Sequence, residues 1–316
     1  MTCPATVSWL GYGWETTFGT VSTSMNKAFG HGVKISNLNR KNNIEKVYQS
    51  GSKNAQVLQE KRYEGSLTAE FVLANPWFYH GVLGAVTDSA TSSPFTHTFS
   101  EADDLTSISL ANNIQTAAVR QAQLLGGVFN SVTISSAINE LVKVRADIPF
   151  ANETFSTSTS SKITESYDLY SFAHGTLELP DGSTLAQVQN FETTINNNAE
   201  MIYGQGSRIA QCAVSKQRDY SGSITMALSA SADLLEKCYG ASTGPADTVA
   251  ESADLVLTFT NGSTGTLSRS ITSTYTGVKI DEDSMPQDPS QVIMEDVSIM
   301  MRSLSVAAID STETAV

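Results

Sequence analysis

The sequence predicts a mainly β protein, built as two tandem copies of one β-sandwich or barrel domain, each with one short flanking α-helix. Three observations carry that expectation. Polarity comes from Ser, Thr, Asn and Gln more than from charge, several segments alternate apolar and polar residues with period two, and three ordered blocks recur at one spacing.

Composition sets the class. Of 316 residues, 40% are hydrophobic and only 16% charged, below the roughly one quarter usual for a soluble domain. Hydroxyl and amide polarity suits strands and turns, whereas exposed helices carry Glu–Lys pairs.

The repeat sets the organisation. VYQSGSKNAQ (47–56) matches IYGQGSRIAQ (202–211), with Gly51 against Gly206 at an offset of 155. YEGSLTAEFVL (63–73) matches YSGSITMALSA (220–230). NPWFYHGVLGA (75–85) matches ADLLEKCYGA (232–241), and there Gly84 and Gly240 lie 156 apart. The expected division is an N-terminal arm at 1–30, copy one at 31–153, a Ser/Thr-rich linker at 154–168 and copy two at 169–316.

Within each copy the alternation marks strands. Leu67, Ala69, Phe71 and Leu73 share one face, opposite Ser66, Thr68 and Glu70; Ile224, Met226 and Leu228 repeat the pattern. The clearest strand is 141–150, with Val142, Val144, Ala146, Ile148 and Phe150 inward and Lys143, Arg145 and Asp147 outward. Residues 253–260 alternate through Leu255, Leu257 and Phe259. Each copy holds one short helix. Asn75 and Pro76 fit the first one's start, and Gly84 and Gly240 fit the two ends.

Charge is uneven. Up to residue 168 there are 12 Lys+Arg and 14 Asp+Glu; beyond it there are 7 and 18, for a total of −13. That balance excludes a nucleic-acid clamp. Most of the early cations fall in one stretch: Lys34, Arg40, Lys41, Lys46, Lys53, Lys61 and Arg62. A basic stretch on an acidic chain is either solvated or docked on an acidic face of another subunit, and the acidic run Asp281, Glu282, Asp283 in 281–288 is the candidate counterpart.

No catalytic, cofactor or metal signature is found. His31, His80, His97 and His174 are scattered, and no HExxH, CxxC or GKS/T is present. GASTG (240–244) fits G-x-S-x-G around Ser242, but it follows a helix, whereas a nucleophile elbow follows a strand. DEDS (281–284) lacks the glycine and final glutamate of a calcium loop. GYG (11–13) and GQGSR (204–208) do not complete a dinucleotide fingerprint. Cys3, Cys212 and Cys238 have no metal spacing and read as reduced structural thiols. The first fifteen residues lack the basic and apolar regions of a signal peptide, and no apolar run reaches membrane-span length. A cytoplasmically made, soluble chain is expected, with no cofactor.

The blocks YGWETTFGT (12–20), GSKNAQ, RYEGSLTAEFVLANPWFYHGVLGA, SPFTHTF (93–99), LTSISL (105–110) and LLGGVFNSVTISSAINELVKVRADI (124–148) keep their order along most of the chain. Together they resemble tail tube (major tail) proteins of long-tailed phages and related archaeal viruses. The resemblance implies a β-sandwich or barrel domain with one flanking helix, rings that stack into a tube, and a lumen through which viral DNA passes without specific binding. Most such proteins have one domain and form six-membered rings. Two copies here imply a homotrimeric ring with pseudo-sixfold symmetry, with a hexamer as the alternative. The implied partners are further copies of the chain, other tail proteins at the tube ends and DNA, with no membrane; the implied location is the virion tail.

Stacked rings meet through two different faces, so the basic stretch is expected against the acidic run of the adjacent ring. Trp9, Tyr12, Trp14 and Phe18 either pack on their own domain or form an inter-subunit arm. Competing readings are another virion ring protein (tail terminator, baseplate or decoration) and a cell-surface β-sandwich array or adhesin protein.

Overall fold

The computed structural model describes residues 7–89, 93–115, 119–156, 163, 165–178, 187–228, 233–241, 243–249, 254–261, 268–288, 290 and 292–312. Strands form where the alternation predicts them. The first half runs through β1 (Val7–Trp14), β2 (Lys27–Ala28), β3 (His31–Lys41), β4 (Glu45–Tyr48), β5 (Ala55–Gln59) and β6 (Glu64–Val72) into α1 (Phe78–Leu83). It continues with β7 (Gly84–Ser89), β8 (Phe95–Glu101), β9 (Ile108–Gln115), β10 (Val119–Gly127), β11 (Ser131–Ala137), β12 (Lys143–Phe150) and β13 (Asn152–Ser156). After a 3-10 turn at Phe172–His174 come β14 (Gly175–Glu178), β15 (Val188–Asn196), β16 (Glu200–Tyr203), β17 (Ala210–Val214) and β18 (Asp219–Ala227). The chain ends with α2 (Asp233–Tyr239), β19 (Leu255–Thr260), β20 (Ser270–Thr276), β21 (Lys279–Ser284), β22 (Met294–Met301) and β23 (Ser303–Asp310).

An eight-stranded antiparallel sheet has the order β21-β22-β18-β15-β11-β12-β6-β3. A five-stranded sheet, β13-β10-β9-β1-β2, and a six-stranded sheet, β14-β19-β20-β23-β8-β7, share one continuous buried core with it. Val142, Val144, Ala146, Ile148 and Phe150 all lie in that core, and burying each large apolar side chain contributes about 1.5–3 kcal/mol.

Strand order is the same in the two halves. From one edge the long sheet reads β3, β6, β12, β11, then β15, β18, β22, β21. Outside it, β1, β9, β10 and β13 are neighbours in the order of β14, β19, β20 and β23. Register matches as well, with Gly65 in the place of Tyr220, two residues from the sequence match of 63–73 with 220–230: Gly65 faces Phe150 and Val72 faces Lys143, while Tyr220 faces Met301 and Ala227 faces Met294.

Two expectations are corrected. From Val7 on, the N-terminal segment is not a separate arm: β1 pairs along its whole length with β9 and holds the place that β14 holds in the other half, and residues 1–6 lie outside the described residues. Thr154–Ser156 are not linker but part of β13, paired with Gln121–Gln123 of β10. Thr and Phe suit a strand as well as Ser/Thr-rich composition suits a linker. Residues 157–162 and 164 of that stretch lie outside the described residues.

The halves interlock. β11 meets β15 in seven consecutive pairs from Ser131↔Asn196 to Ala137↔Asn190. The β7–β8 hairpin leaves the first half to extend the second half's outer sheet, with Phe99 opposite Val306. Asn197 Nδ2 donates to the carbonyls of Val82 and Phe129, both at 2.9 Å, and its Oδ1 accepts from Arg218 Nε at 3.0 Å.

The C-terminal helix ends follow the sequence, but the start of α1 does not: the helix begins at Phe78 after Trp77, not at Pro76. Asn75 Oδ1 accepts the Trp77 N–H at 3.2 Å, in the turn just ahead of α1. Gly84 ends α1 at φ 100° and Gly240 follows α2 at φ 75°, left-handed conformations that favour glycine.

Candidate assembly edges

The long sheet ends at β3 and β21; no described strand pairs beyond either, and α2 packs against β21. An edge strand presents unpaired backbone N–H and C=O groups, ready to pair with another strand. The sequence-predicted cations gather on or beside the first edge. Lys34, Arg40 and Lys41 lie on β3, Lys46 on β4, Lys53 in the β4–β5 turn, and Lys61 and Arg62 between β5 and β6. Asp281, Glu282 and Asp283 lie on β21, the opposite edge. Basic and acidic runs therefore mark the two ends of one sheet.

Most of these cations already touch carboxylates of their own half. Lys34 is 3.5 Å from Glu70, Lys41 is 3.9 Å from Glu64, Lys61 is 2.5 Å from Glu45 and Arg62 is 2.6 Å from Glu64. Such exposed pairs contribute at most about 1 kcal/mol each. Arg40 is different. Its Nε and Nη2 both donate to the shielded Glu153 carboxylate, a bidentate fork that adds geometry as well as energy. Glu153 also accepts from Tyr63 at 3.4 Å. Burial first, and then the Glu153 charge, push the Tyr63 pKa up to about 12.

The β21 edge lacks such compensation. Both Asp283 carboxylate oxygens are shielded from water, and the group that shares their site is the Glu295 carboxyl. Burial raises the Asp283 pKa. Beside it, buried Glu295 is pushed up to about 7, by burial first and then by the Asp283 charge. Two shielded acids side by side disfavour each other's charged form.

Two hairpins project from one end of the long sheet. β4–β5 continues from the Lys41↔Glu64 pair and β16–β17 from the matching Asn196↔Asp219 pair. They touch: Arg208 Nε donates to the Lys61 carbonyl at 2.7 Å, and Tyr203 Oη donates to the Tyr63 carbonyl at 2.8 Å. Ile44, Val47, Tyr48, Val57 and Leu58 are exposed on the first hairpin, and Ile202, Ile209 and Val214 on the second. Cys212 is exposed on β17 and Cys238 half-buried on α2, both as free thiols; Cys3 lies outside the described residues.

The aromatic residues of the N-terminal segment pack on their own chain. Tyr12 is fully buried, edge-on to Trp14 at 5.3 Å and tilted against Phe29 at 4.6 Å. Trp14 meets His80 at 4.6 Å, Trp9 lies over Gly11, and Phe18 lies over Gly126. The residue that sequence reasoning missed here is Glu15. Its buried carboxylate accepts from Gly19 N, Ser107 Oγ, Ser109 Oγ and Gly126 N, each at 2.8 Å. No motif marks a lone acid whose donors come from its own turn at Gly19, from Ser107 and Ser109 at the start of β9, and from Gly126 of β10.

Histidines serve structure. His31 Nε2 contacts the Tyr167 carbonyl at 2.8 Å, and burial lowers the His80 pKa to about 4. A recess of about 480 Å³ is lined by Ile138, Phe172, Leu177, Phe191, Leu257 and Phe259, and no acid, base or thiol is among its described lining residues. Ser242 lies outside the described residues; Gly240, ahead of it, ends a helix. No cluster of metal-binding side chains occurs among the described residues.

Open, charged sheet edges and protruding apolar hairpins are features of a subunit that assembles. A family model described as phage tail tube protein matches residues 8–308. The chain belongs to the phage tail tube protein family. No curated protein matches the sequence. As a tail tube protein it is a structural virion component that self-assembles into a tube with other tail proteins. The open edges and hairpins are the surfaces this tail tube subunit has available for assembly.

Proposed function

We propose that the chain is a tandem duplication, and that three chains form one ring of the tail tube with pseudo-sixfold symmetry. The observation that carries this reading is the β11–β15 junction. There, two four-stranded units of equal strand order join edge to edge, and the same two kinds of edge, β3 and β21, stand open at the ends. Repeating that junction between chains closes the sheet. Three sheets supply about 24 strands, and at roughly 4.8 Å per strand the wall is about 115 Å around, more if the strands tilt. Such a bore admits a DNA duplex.

The outward face of the long sheet lines the bore in this reading. Most of its cations are held by acids, Lys34 and Arg145 by Glu70, Lys41 by Glu64, and Lys143 by Glu140, while Lys279 of β21, opposite exposed Met300, makes no ion pair among the described residues. A wall whose cations are mostly neutralised lets phosphates slide. Rings stack head to tail through the β4–β5 and β16–β17 hairpins, with Lys46, Lys53, Lys61 and Arg62 beside them. The protein is made in the host cytoplasm and acts by assembly, conducting DNA during ejection without a catalytic step.

Negative-stain electron microscopy of the purified full chain, across several salt concentrations, tests this. Hollow tubes with threefold end views are expected. Tubes of another symmetry overturn the trimer, and monodisperse monomers under all conditions overturn the tube.

A further inference from the structure

Resting on the ring reading, we infer that neighbouring chains join β3 to β21 in the register that already joins β15 to β11. Lys41 then lies opposite Glu282, Arg40 opposite Asp283 and Asn39 opposite Ser284 of the next copy.

The register follows from strand pairings once Glu64 is set against Asp219, as the matching contacts Asn43 Nδ2 to the Arg62 carbonyl and Asn198 Nδ2 to the Gln217 carbonyl require; the sequence match of 63–73 with 220–230 is two residues out of this register. Ser131, Val132 and Thr133 of β11 face Asp147, Ala146 and Arg145 of β12. Their counterparts Glu282, Asp283 and Ser284 of β21 face Ser298, Val297 and Asp296 of β22. On the other side, Asn196, Ile195 and Thr194 of β15 face Asp219, Tyr220 and Ser221. Lys41, Arg40 and Asn39 of β3 face Glu64, Gly65 and Ser66 in the same way. The internal junction pairs Ser131 with Asn196, Val132 with Ile195 and Thr133 with Thr194. Replacing each residue by its counterpart gives the seam. Charge was not used to set this register, yet it places two cations opposite two carboxylates.

Two independent observations fit the same seam. The shielded Asp283 oxygens share their site with buried Glu295, so two acids lie together where a cation would satisfy both. Arg40 commits Nε and Nη2 to Glu153, leaving Nη1 for a second carboxylate, as a guanidinium's five donors allow. The outer sheet is unfinished at the same place. Phe155 of β13 is 72% exposed, while its counterpart Val306 of β23 is 0% exposed beneath Phe99 of β8. β8 belongs to the other half, so in a ring the cover for Phe155 comes from the next copy.

A disulfide trap reads the register directly. In the internal junction the hydroxyls of Thr133 and Thr194 touch at 2.9 Å, so side chains at Asn39 and Ser284 are expected to meet across the seam. The full chain carries Asn39→Cys and Ser284→Cys, with Cys3, Cys212 and Cys238 replaced by Ser, and is oxidised after assembly. Covalent species ending at three chains are expected. They should exceed by about tenfold the product from Asn39→Cys with Asp283→Cys, because a one-residue slip turns the side chain to the other face. Tubes that form without the link, or equal linking by the shifted pair, overturn the seam while leaving the tube intact. Linked trimers that never stack into tubes overturn the tube reading and keep the seam. A chain that neither assembles nor links overturns both.

Discussion

The β11–β15 junction inside the chain and the β3 and β21 edges at its ends are the same kind of place built from different residues. Inside, Val132 and Ile195 face each other, both almost fully buried. At the ends, the matching positions are Asp283 and Arg40. The internal junction forms once, as the chain folds, and never meets solvent afterwards, so apolar residues suit it. An open edge must stay soluble until a partner arrives, and charge on an edge strand discourages indiscriminate pairing. The difference shows how one strand arrangement serves both folding and assembly: side chains, not backbone geometry, decide when an edge joins.

The comparison breaks most severely at Val132→Asp. It buries an unpaired charge in the internal junction and is expected to cost at least about 4 kcal/mol. Circular dichroism should show a chain that no longer folds. A melt close to the parent's would mean that the junction tolerates charge, and that its contrast with the open edges carries no weight.

A second test concerns the two outer sheets. Glu15→Gln keeps the shape but weakens four charge-assisted hydrogen bonds, at a cost of roughly 2 kcal/mol. Chemical denaturation measures it. An unchanged midpoint would make β1 an accessory strand after all, unlike β14.

The smallest effect lies where the halves cross-connect. His97 on β8 contacts Asp88 at 2.6 Å, and Asp310 of β23 at 3.3 Å; Trp77 lies 5.1 Å from its ring, and the Thr312 carbonyl is 3.0 Å from its Nε2. Burial lowers its pKa, but hydrogen bonds to Asp310 and Asp88 outweigh burial and raise it above the ordinary value. The folded chain thus binds this proton more tightly than the unfolded chain. The added stability is complete below pH 6.5 and is lost as pH rises through the folded pKa. Melting temperature should fall from pH 6 to pH 8, and His97→Gln should flatten the fall. An equal fall in the variant would assign the pH dependence elsewhere.

Much of this was legible locally. Two-residue alternation along Leu67–Leu73 and Val142–Phe150 marked the strands of the long sheet, because a pleat alternates its faces whatever pairs with it. Gly84 and Gly240 marked helix ends, because a left-handed residue there favours glycine. The candidate edge residues were legible only as composition. The basic run 34–62 and the acidic run 281–283 stood out, but neither a charge run nor a spacing states which strand lies beside it.

The sequence by itself determined the β class, the two helix ends and the recurrence of three blocks at one offset, since each is written in neighbouring residues. Only the tertiary structure decided that β1 is an integral strand, that β8 crosses to cover Val306, and that the basic and acidic runs stand at opposite edges of one sheet. The reason is physical: sheet pairing joins backbones far apart in sequence through hydrogen bonds that every residue but proline can make, so partner and register are fixed by the packing of the whole core.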